Sequence, residues 1–273
     1  MAPGPAITFI GAGQMGLPMI RRLVGAGNSV TAYARRPEAR SDCEDAGAHA
    51  TADLRASVAN AEVVLVCVFS DAQLLELAVG PEGFLDAMAP GSMLVIHTTG
   101  SPTTSKQLAE RGADRQLRVV EAPVSGSAED IAAGHVTVLL GGEVSDVDRA
   151  RPVVAAYGDP VLHLGPLGSA QAVKLLNNVL FAAQVQLLAD VERLAEEMGA
   201  DWPAAAAAIR NSSGTSRALE IVAAMGSVDA VVERAADFLR KDVAAAATTA
   251  ADLGLDLGQL GEVNRRGRFD FLD

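Results

Sequence analysis

Ile7-Thr-Phe-Ile10-Gly11-Ala-Gly13-Gln-Met-Gly16-Leu-Pro-Met19 is the stretch that decides the fold. A β-favouring run enters a GxGxxG turn, and a helical pattern over Met15–Val24 follows at once. The first glycine of such a turn lets the chain reverse tightly. The second lets its backbone approach a pyrophosphate, and the third lets helix and strand pack closely. The helix N-terminus adds amide donors and the positive end of its dipole. An ordinary strand–helix turn also uses glycines, so the motif alone is weak. Its place at the first strand of an alternating region is what points to dinucleotide binding.

Further β-rich runs lie at Ser29–Ala34, Glu62–Val68, Met93–His97, Arg118–Val124, Val136–Leu140 and Pro160–Leu164, with helical patterns between most of them. After Glu62, the run through Val68 is apolar without alternation, as in a strand covered on both faces. This predicts an α/β unit over residues 1–165, a doubly wound parallel sheet of Rossmann type. Near Gly165-Pro-Leu-Gly168 the texture changes. From 169 to 198 there is no proline or glycine, and apolar residues fall on every face through Leu188. That predicts a long helix buried all round. Alanine-rich helical stretches around 201–210, 217–225, 228–250 and 256–266 follow, so residues 166–273 read as an all-α domain joined on by the long helix.

The 273 residues are 49% hydrophobic and 21% charged, with a net charge of −12. That balance excludes disorder over most of the length, and a field of that sign repels nucleic-acid backbones. Cys43 and Cys67 make no disulfide framework. No CxxC or Cys/His cluster is present, and His49, His97, His135 and His163 lack ligand spacing, so no metal is expected. His97 and His163 read as hydrogen-bonded core residues. With no run of 18 apolar residues no membrane span is expected, and Met1-Ala-Pro-Gly lacks the basic region of a signal peptide. The expected location is the cytoplasm.

Dinucleotide sites of this kind usually place Asp or Glu at the end of the second strand to bind the ribose hydroxyls. Here the chain reads Tyr33-Ala-Arg-Arg-Pro37. Arg35 and Arg36 at that spot favour a 2′-phosphate, hence NADP(H) over NAD(H), although a solvated loop pair gives the same letters.

Of the 22 basic residues only Lys106, Lys174 and Lys241 are lysines. Lys174 stands near the start of the apolar helix in Gly168-Ser-Ala-Gln-Ala-Val-Lys174-Leu-Leu-Asn-Asn178, with Asn178 four residues on and so on the same face. The dipole and apolar surroundings both oppose a cation there, which tunes a lysine towards proton transfer in a way no arginine matches. A snorkelling surface lysine is the plainer alternative. In Glu121-Ala-Pro-Val-Ser125-Gly126-Ser127 the small residues leave amides and hydroxyls to hold an anion, and a plain turn explains the segment equally well. Thr98-Thr99 reads as a structural pair.

Together these segments resemble the β-hydroxyacid dehydrogenase family, which includes 3-hydroxyisobutyrate dehydrogenases and the tartronate, glyoxylate and succinic semialdehyde reductases, over nearly the whole chain and in the same order. By that resemblance Gly11, Gly13, Gln14, Met15 and Gly16 form the cofactor fingerprint, and Val68, Phe69 and Thr99 line the nicotinamide side. Ser125, Gly126 and Ser127 belong to the substrate-binding motif, with the first two holding a carboxylate. Lys174 is the general acid/base, Asn178 orients the substrate, and Lys241 of the Lys241-Asp242 pair approaches cofactor and substrate. Ser127 replaces a common second glycine, Ala170 a frequent glycine and Phe69 a common proline. The resemblance implies a small carboxylate-bearing substrate and a homodimer or homotetramer. An imine reductase on the same architecture would lack a lysine at position 174. A non-catalytic NADP-binding regulator would not need Lys174, Asn178 and Lys241 together.

Overall fold

The computed structural model describes residues 4–272. The chain separates into two compact units between Lys174 and Leu175. The first carries β1 (Ile7–Ile10), α1 (Gly16–Gly25), β2 (Val30–Tyr33), α2 (Pro37–Asp45), β3 (His49–Thr51), α3 (Leu54–Val58), β4 (Val63–Val66), α4 (Asp71–Val79), β5 (Met93–Ile96), α5 (Pro102–Gly112) and β6 (Arg118–Glu121). These six strands form one parallel sheet in the order β3-β2-β1-β4-β5-β6. The order reverses between β1 and β4, and ligands of such sheets bind at the carboxyl ends of the strands beside that point.

Strand β4 explains why the sheet lies inside. Val63 and Leu65 enter one core cluster with Ile7, Phe9 and Met93. Val64 and Val66 enter another with Ile10, Leu94 and Ile96. Burying each such side chain contributes about 1.5–3 kcal/mol, and helices on both faces leave no polar side to the strand.

The single run expected over Arg118–Val124 is in fact two strands in two sheets. β6 ends at Glu121, and β7 (Val124–Ser125) pairs antiparallel with β8 (Val136–Leu140). β8 lies parallel to β9 (Gly158–His163), and α6 (Ala128–Ala133) and α7 (Val144–Val154) fill the intervals. Pro123, with no N–H to give a ladder, stands where the chain changes sheets. The last strands thus form a small mixed sheet of their own. β3, three residues at the sheet edge, is too short to read from the sequence.

α8 (Ser169–Glu197) crosses the boundary between the units. In the second unit Leu175, Val179, Ala182, Val185 and Ala189 of α8 join a core with Trp202 of α9 (Trp202–Arg210) and Leu219 and Val222 of α10 (Arg217–Met225). Leu239 and Val243 of α11 (Val228–Asp252) complete it, and α12 (Gln259–Arg266) follows. The expectation of all-round burial fails for α8. Leu176, Leu180 and Leu187 are 56%, 48% and 52% exposed, and Val191 and Leu194 continue the stripe. By length and composition alone α8 would reach across a membrane, yet its opposite face belongs to this core.

Candidate active site

Four of the segments singled out in the sequence lie at the carboxyl ends of strands of the parallel sheet. After β1, Gly11 has φ +105°, and a Cβ there would come within 2.2 Å of the Cys67 carbonyl oxygen. Only glycine fits, because the turn needs both a left-handed backbone and that close approach. Gly13 and Gln14 are exposed, and a Cβ on Gly13 would meet nothing within 4 Å. Helix α1 starts at Gly16 with Met15 as N-cap and no side-chain cap. The Leu17 amide donates to the Gly13 carbonyl at 3.0 Å, and no side chain occupies the N-terminus of the helix, the end whose dipole favours a pyrophosphate. The residues present fit a dinucleotide.

After β4, the Val68 amide donates to Thr98 Oγ1 at 3.0 Å and the Phe69 amide to Gln73 Oε1 at 3.1 Å. Val68 is thereby fixed to the loop after β5, where Thr99 stands partly buried, and Phe69 to the first turn of α4. After β2, Arg35 lines a groove of about 800 Å³ with Tyr33, Leu54 and Leu77. Arg55 and three acids, Asp53, Glu76 and Glu82, line it too. Arg36, the N-cap residue of α2, does not. Arg40 donates to the carbonyls of Ala34 and Arg35 at 3.0 and 2.8 Å and braces this corner. Its role has no signature in the sequence.

The turn after β7 is built around Gly126, whose φ is +143°. Ser125 is partly buried and Gly126 exposed. Ser127 is the N-cap of α6: its hydroxyl accepts from the Asp130 amide at 3.2 Å, while Asp130 accepts from the Ser127 amide at 2.7 Å. This capping box fixes the turn and occupies the Ser127 hydroxyl.

Lys174, 9% exposed, lies in the second turn of α8. The first turn is held by Glu121, a fully buried carboxylate at the end of β6. It accepts from the amides of Gly168 (2.8 Å), Ala170 (3.2 Å) and Gln171 (3.4 Å) and from the Ser105 hydroxyl. Burial raises its pKa, and these hydrogen bonds oppose the rise. Gln171 in turn donates to the Thr98 carbonyl at 2.8 Å and accepts from the Gly100 amide at 3.1 Å.

In the helical unit, Asn178 donates to Asp242 Oδ2 at 2.5 Å and accepts from Asn177 at 3.0 Å. The buried Asp242 also lies 2.6 Å, through Oδ1, from Lys241 Nζ. One carboxylate therefore ties two residues singled out 63 positions apart in the sequence. A second buried network lies behind the parallel-sheet loops. His97 Nδ1 lies 2.6 Å from the Ala122 carbonyl and Nε2 lies 2.9 Å from the Tyr157 hydroxyl. Burial lowers the His97 pKa to about 4, so the ring is neutral. Among the described residues no cluster of three or more His, Cys, Asp or Glu is placed to hold a metal ion.

Residues 6–165 match the family model described as the NAD binding domain of 6-phosphogluconate dehydrogenase. Residues 168–266 match that described as the NAD-binding domain of NADP-dependent 3-hydroxyisobutyrate dehydrogenase. The NAD-dependent L-serine dehydrogenase of Pseudomonas aeruginosa is 33% identical over 79% of this chain and 72% of its own. The 3-hydroxyisobutyrate dehydrogenase of the same organism is 30% identical over 79% and 72%. The structure of Mycobacterium tuberculosis 3-hydroxyisobutyrate dehydrogenase with L-serine superposes with a TM-score of 0.84 at 26% identity, covering 98% of this chain and 96% of that one. The chain belongs to the β-hydroxyacid dehydrogenase family, whose members are NAD(P)-dependent oxidoreductases.

Proposed function

We propose that the protein interconverts a small β-hydroxyacid and its semialdehyde with NADP(H) preferred, and that Lys174 moves the proton at the substrate oxygen. The observation that carries this reading is the burial of Lys174 on a capped helix, with Asn178 one turn further along. A bound nicotinamide would supply or accept the hydride. In reduction negative charge builds on the substrate oxygen. The ammonium of Lys174 stabilises that charge and then gives up a proton; in oxidation the neutral amine removes it. Asn178, its amide set by Asp242, orients the substrate, and Lys241 adds positive charge on the cofactor side. The backbone at Ser125 and Gly126 receives the carboxylate. Ser127 contributes by setting the turn.

Two relatives support the substrate class: L-serine and 3-hydroxyisobutyrate, after which they are named, are both small acids with a hydroxyl on the β-carbon. Arg35, just after β2 and lining a groove with Asp53, Glu76 and Glu82, supports NADP(H) as the cation that would meet a 2′-phosphate. The proposed division of labour is nucleotide binding by residues 1–165 and substrate binding and self-association by residues 166–273. The exposed leucines of α8 fit a homodimer or homotetramer seam, and light scattering at micromolar concentration should show no stable monomer. The activity test follows NADPH and NADH consumption with small semialdehydes, glyoxylate and cyclic imines, and the reverse reaction with L-serine and 3-hydroxyisobutyrate. Turnover of semialdehydes supports the reading. Turnover confined to imines overturns it, and no turnover with cofactor binding intact leaves a regulator.

A further inference from the structure

Most helices of this protein that carry a side-chain cap use a neighbour in sequence: Asp53 for α3, Ser70 for α4, Ser101 for α5, Ser127 for α6, Asp201 for α9, Ser216 for α10 and Ser227 for α11. α8 also begins with a serine, but the Ser169 hydroxyl donates to the Pro166 carbonyl at 2.6 Å. The amides of its first turn go instead to Glu121, about fifty positions earlier. Local capping satisfies a helix end as well as a distant carboxylate does, without the cost of burying a charge. What the distant group adds is a connection.

That connection has three branches. The Glu121 backbone pairs with Gly141 in both directions, at 2.8 and 3.0 Å, which anchors the strand end leading into the Ser125–Ser127 turn. Its side chain fixes α5 through Ser105 and α8 through three amides. Gln171, whose own amide is one of the three, grips the Thr98–Gly100 loop with both ends of its side chain. Oε1 takes two donors and Oε2 two, so a carboxylate is matched and a glutamine amide would set its own N–H groups against theirs. Gly141 backs the carboxylate closely: a Cβ there would stand 2.6 Å from Glu121 Oε2. Ala170 and Gln171 are four and three residues before Lys174, so the turn they fix is the one on which Lys174 rides.

We propose that Glu121 is a positioning residue for Lys174, locking the start of α8 to the strand end before the Ser125–Ser127 turn and, through Gln171, to the loop carrying Thr99. The proposal rests on the reading of Lys174 as the proton-moving group. Glu121 makes no contact with substrate or cofactor in it. Misplacing a catalytic group by about an ångström costs on the order of 100-fold in rate. Glu121→Gln keeps the backbone pairing with Gly141 and both Gln171 side-chain contacts, which go on holding the loops of the binding surfaces.

The test is a double-mutant cycle: Glu121→Gln and Lys174→Ala, singly and together, with kcat, KM, melting temperature and the dissociation constant for NADPH measured on each. Glu121→Gln should lower kcat about 10- to 100-fold. KM and cofactor affinity should stay within about threefold, and in the Lys174→Ala background the same change should cost less than about twofold. Ser105→Ala, which removes one donor to the carboxylate, should give a smaller loss of the same kind, and carries the cycle if Glu121→Gln does not fold. A folded variant with unchanged kcat overturns the proposal, as does an equal loss in both backgrounds, which would mark a purely structural role. Near-normal turnover by Lys174→Ala alone instead overturns the reading of Lys174.

Discussion

In the parallel-sheet unit the candidate site positions hang from strand ends, and their geometry is a property of the backbone. Gly11 and Gly126 hold conformations that other residues avoid, and the start of α1 carries no side-chain cap. In the helical unit Asn178 and Lys241 are ordinary helical residues, brought together by the side chain of Asp242. Backbone-built features leave glycines at fixed spacing in the sequence. Side-chain-built ones leave a scatter of polar residues whose partners lie dozens of positions away. α8 belongs to both worlds, because its first turn is held by a strand-end carboxylate and its next by the helical core.

Lys174 is the sharpest place to break this comparison. Lys174→Ala and Lys174→Arg should each lower kcat by at least about 10²-fold, since arginine keeps the charge but cannot release its proton. NADPH affinity, measured by fluorescence, should change little, because the cradle at Gly11–Gly16 is built independently. Near-normal turnover by Lys174→Arg would show that charge suffices.

The second test concerns side-chain networks inside the parallel-sheet unit, where His97 is buried neutral with its pKa lowered to about 4. Unfolded, the ring titrates near its ordinary value of 6.5. Between those values the unfolded chain binds the extra proton, so stability should fall as pH drops from about 6.5 to about 4. The loss from this residue approaches about 3 kcal/mol. Denaturant titrations of the protein and of His97→Gln across that range should show the slope flatten in the variant. Parallel curves would assign the acid sensitivity elsewhere.

A third test asks how far side chains modify a backbone-built site. Arg35→Asp should cost most of the NADPH preference, about 10- to 100-fold, since a charge-assisted phosphate contact contributes roughly 1.5–3 kcal/mol. Dissociation constants for NADPH and NADH settle it, and equal affinities in the unaltered protein would contradict the role. The smallest effect is expected at Gly126. A Cβ there meets Asp130 Oδ2 at 2.9 Å at a φ of +143°, so Gly126→Ala should raise KM several-fold and strain the turn by about 1–3 kcal/mol while leaving NADPH binding alone. An unchanged KM would remove this turn from the substrate site.

What was legible in the sequence follows the same division. The glycine turn, the continuous apolar β4 and the breadth of α8 are local patterns, and the alternation of strands and helices fixes the class of fold. Pro123 sits in the middle of a run rich in valine, and without its partners nothing distinguishes one bent strand from two. The exposed face of α8 also escaped, since periodicity reports that leucines lie on every side but not which side the chain itself covers. In the candidate site Lys174 stood out because this chain so rarely uses lysine. The reach of Glu121 to Gly168 and of Asp242 to Asn178 depends on separations of 47 and 64 residues, and no spacing rule spans those distances.

The scarcity of lysine has a practical side. Lys106 is exposed, Lys241 has one fifth of its side chain accessible, and Lys174 is shielded. An amine-directed reagent applied to the native protein therefore meets three side chains of graded accessibility. Lys106 serves as an internal standard, against which the protection of the other two can be counted by mass. If Lys174 and Lys241 line the site as proposed, its occupancy can then be followed through covalent labelling, without any spectroscopic handle on the ligand.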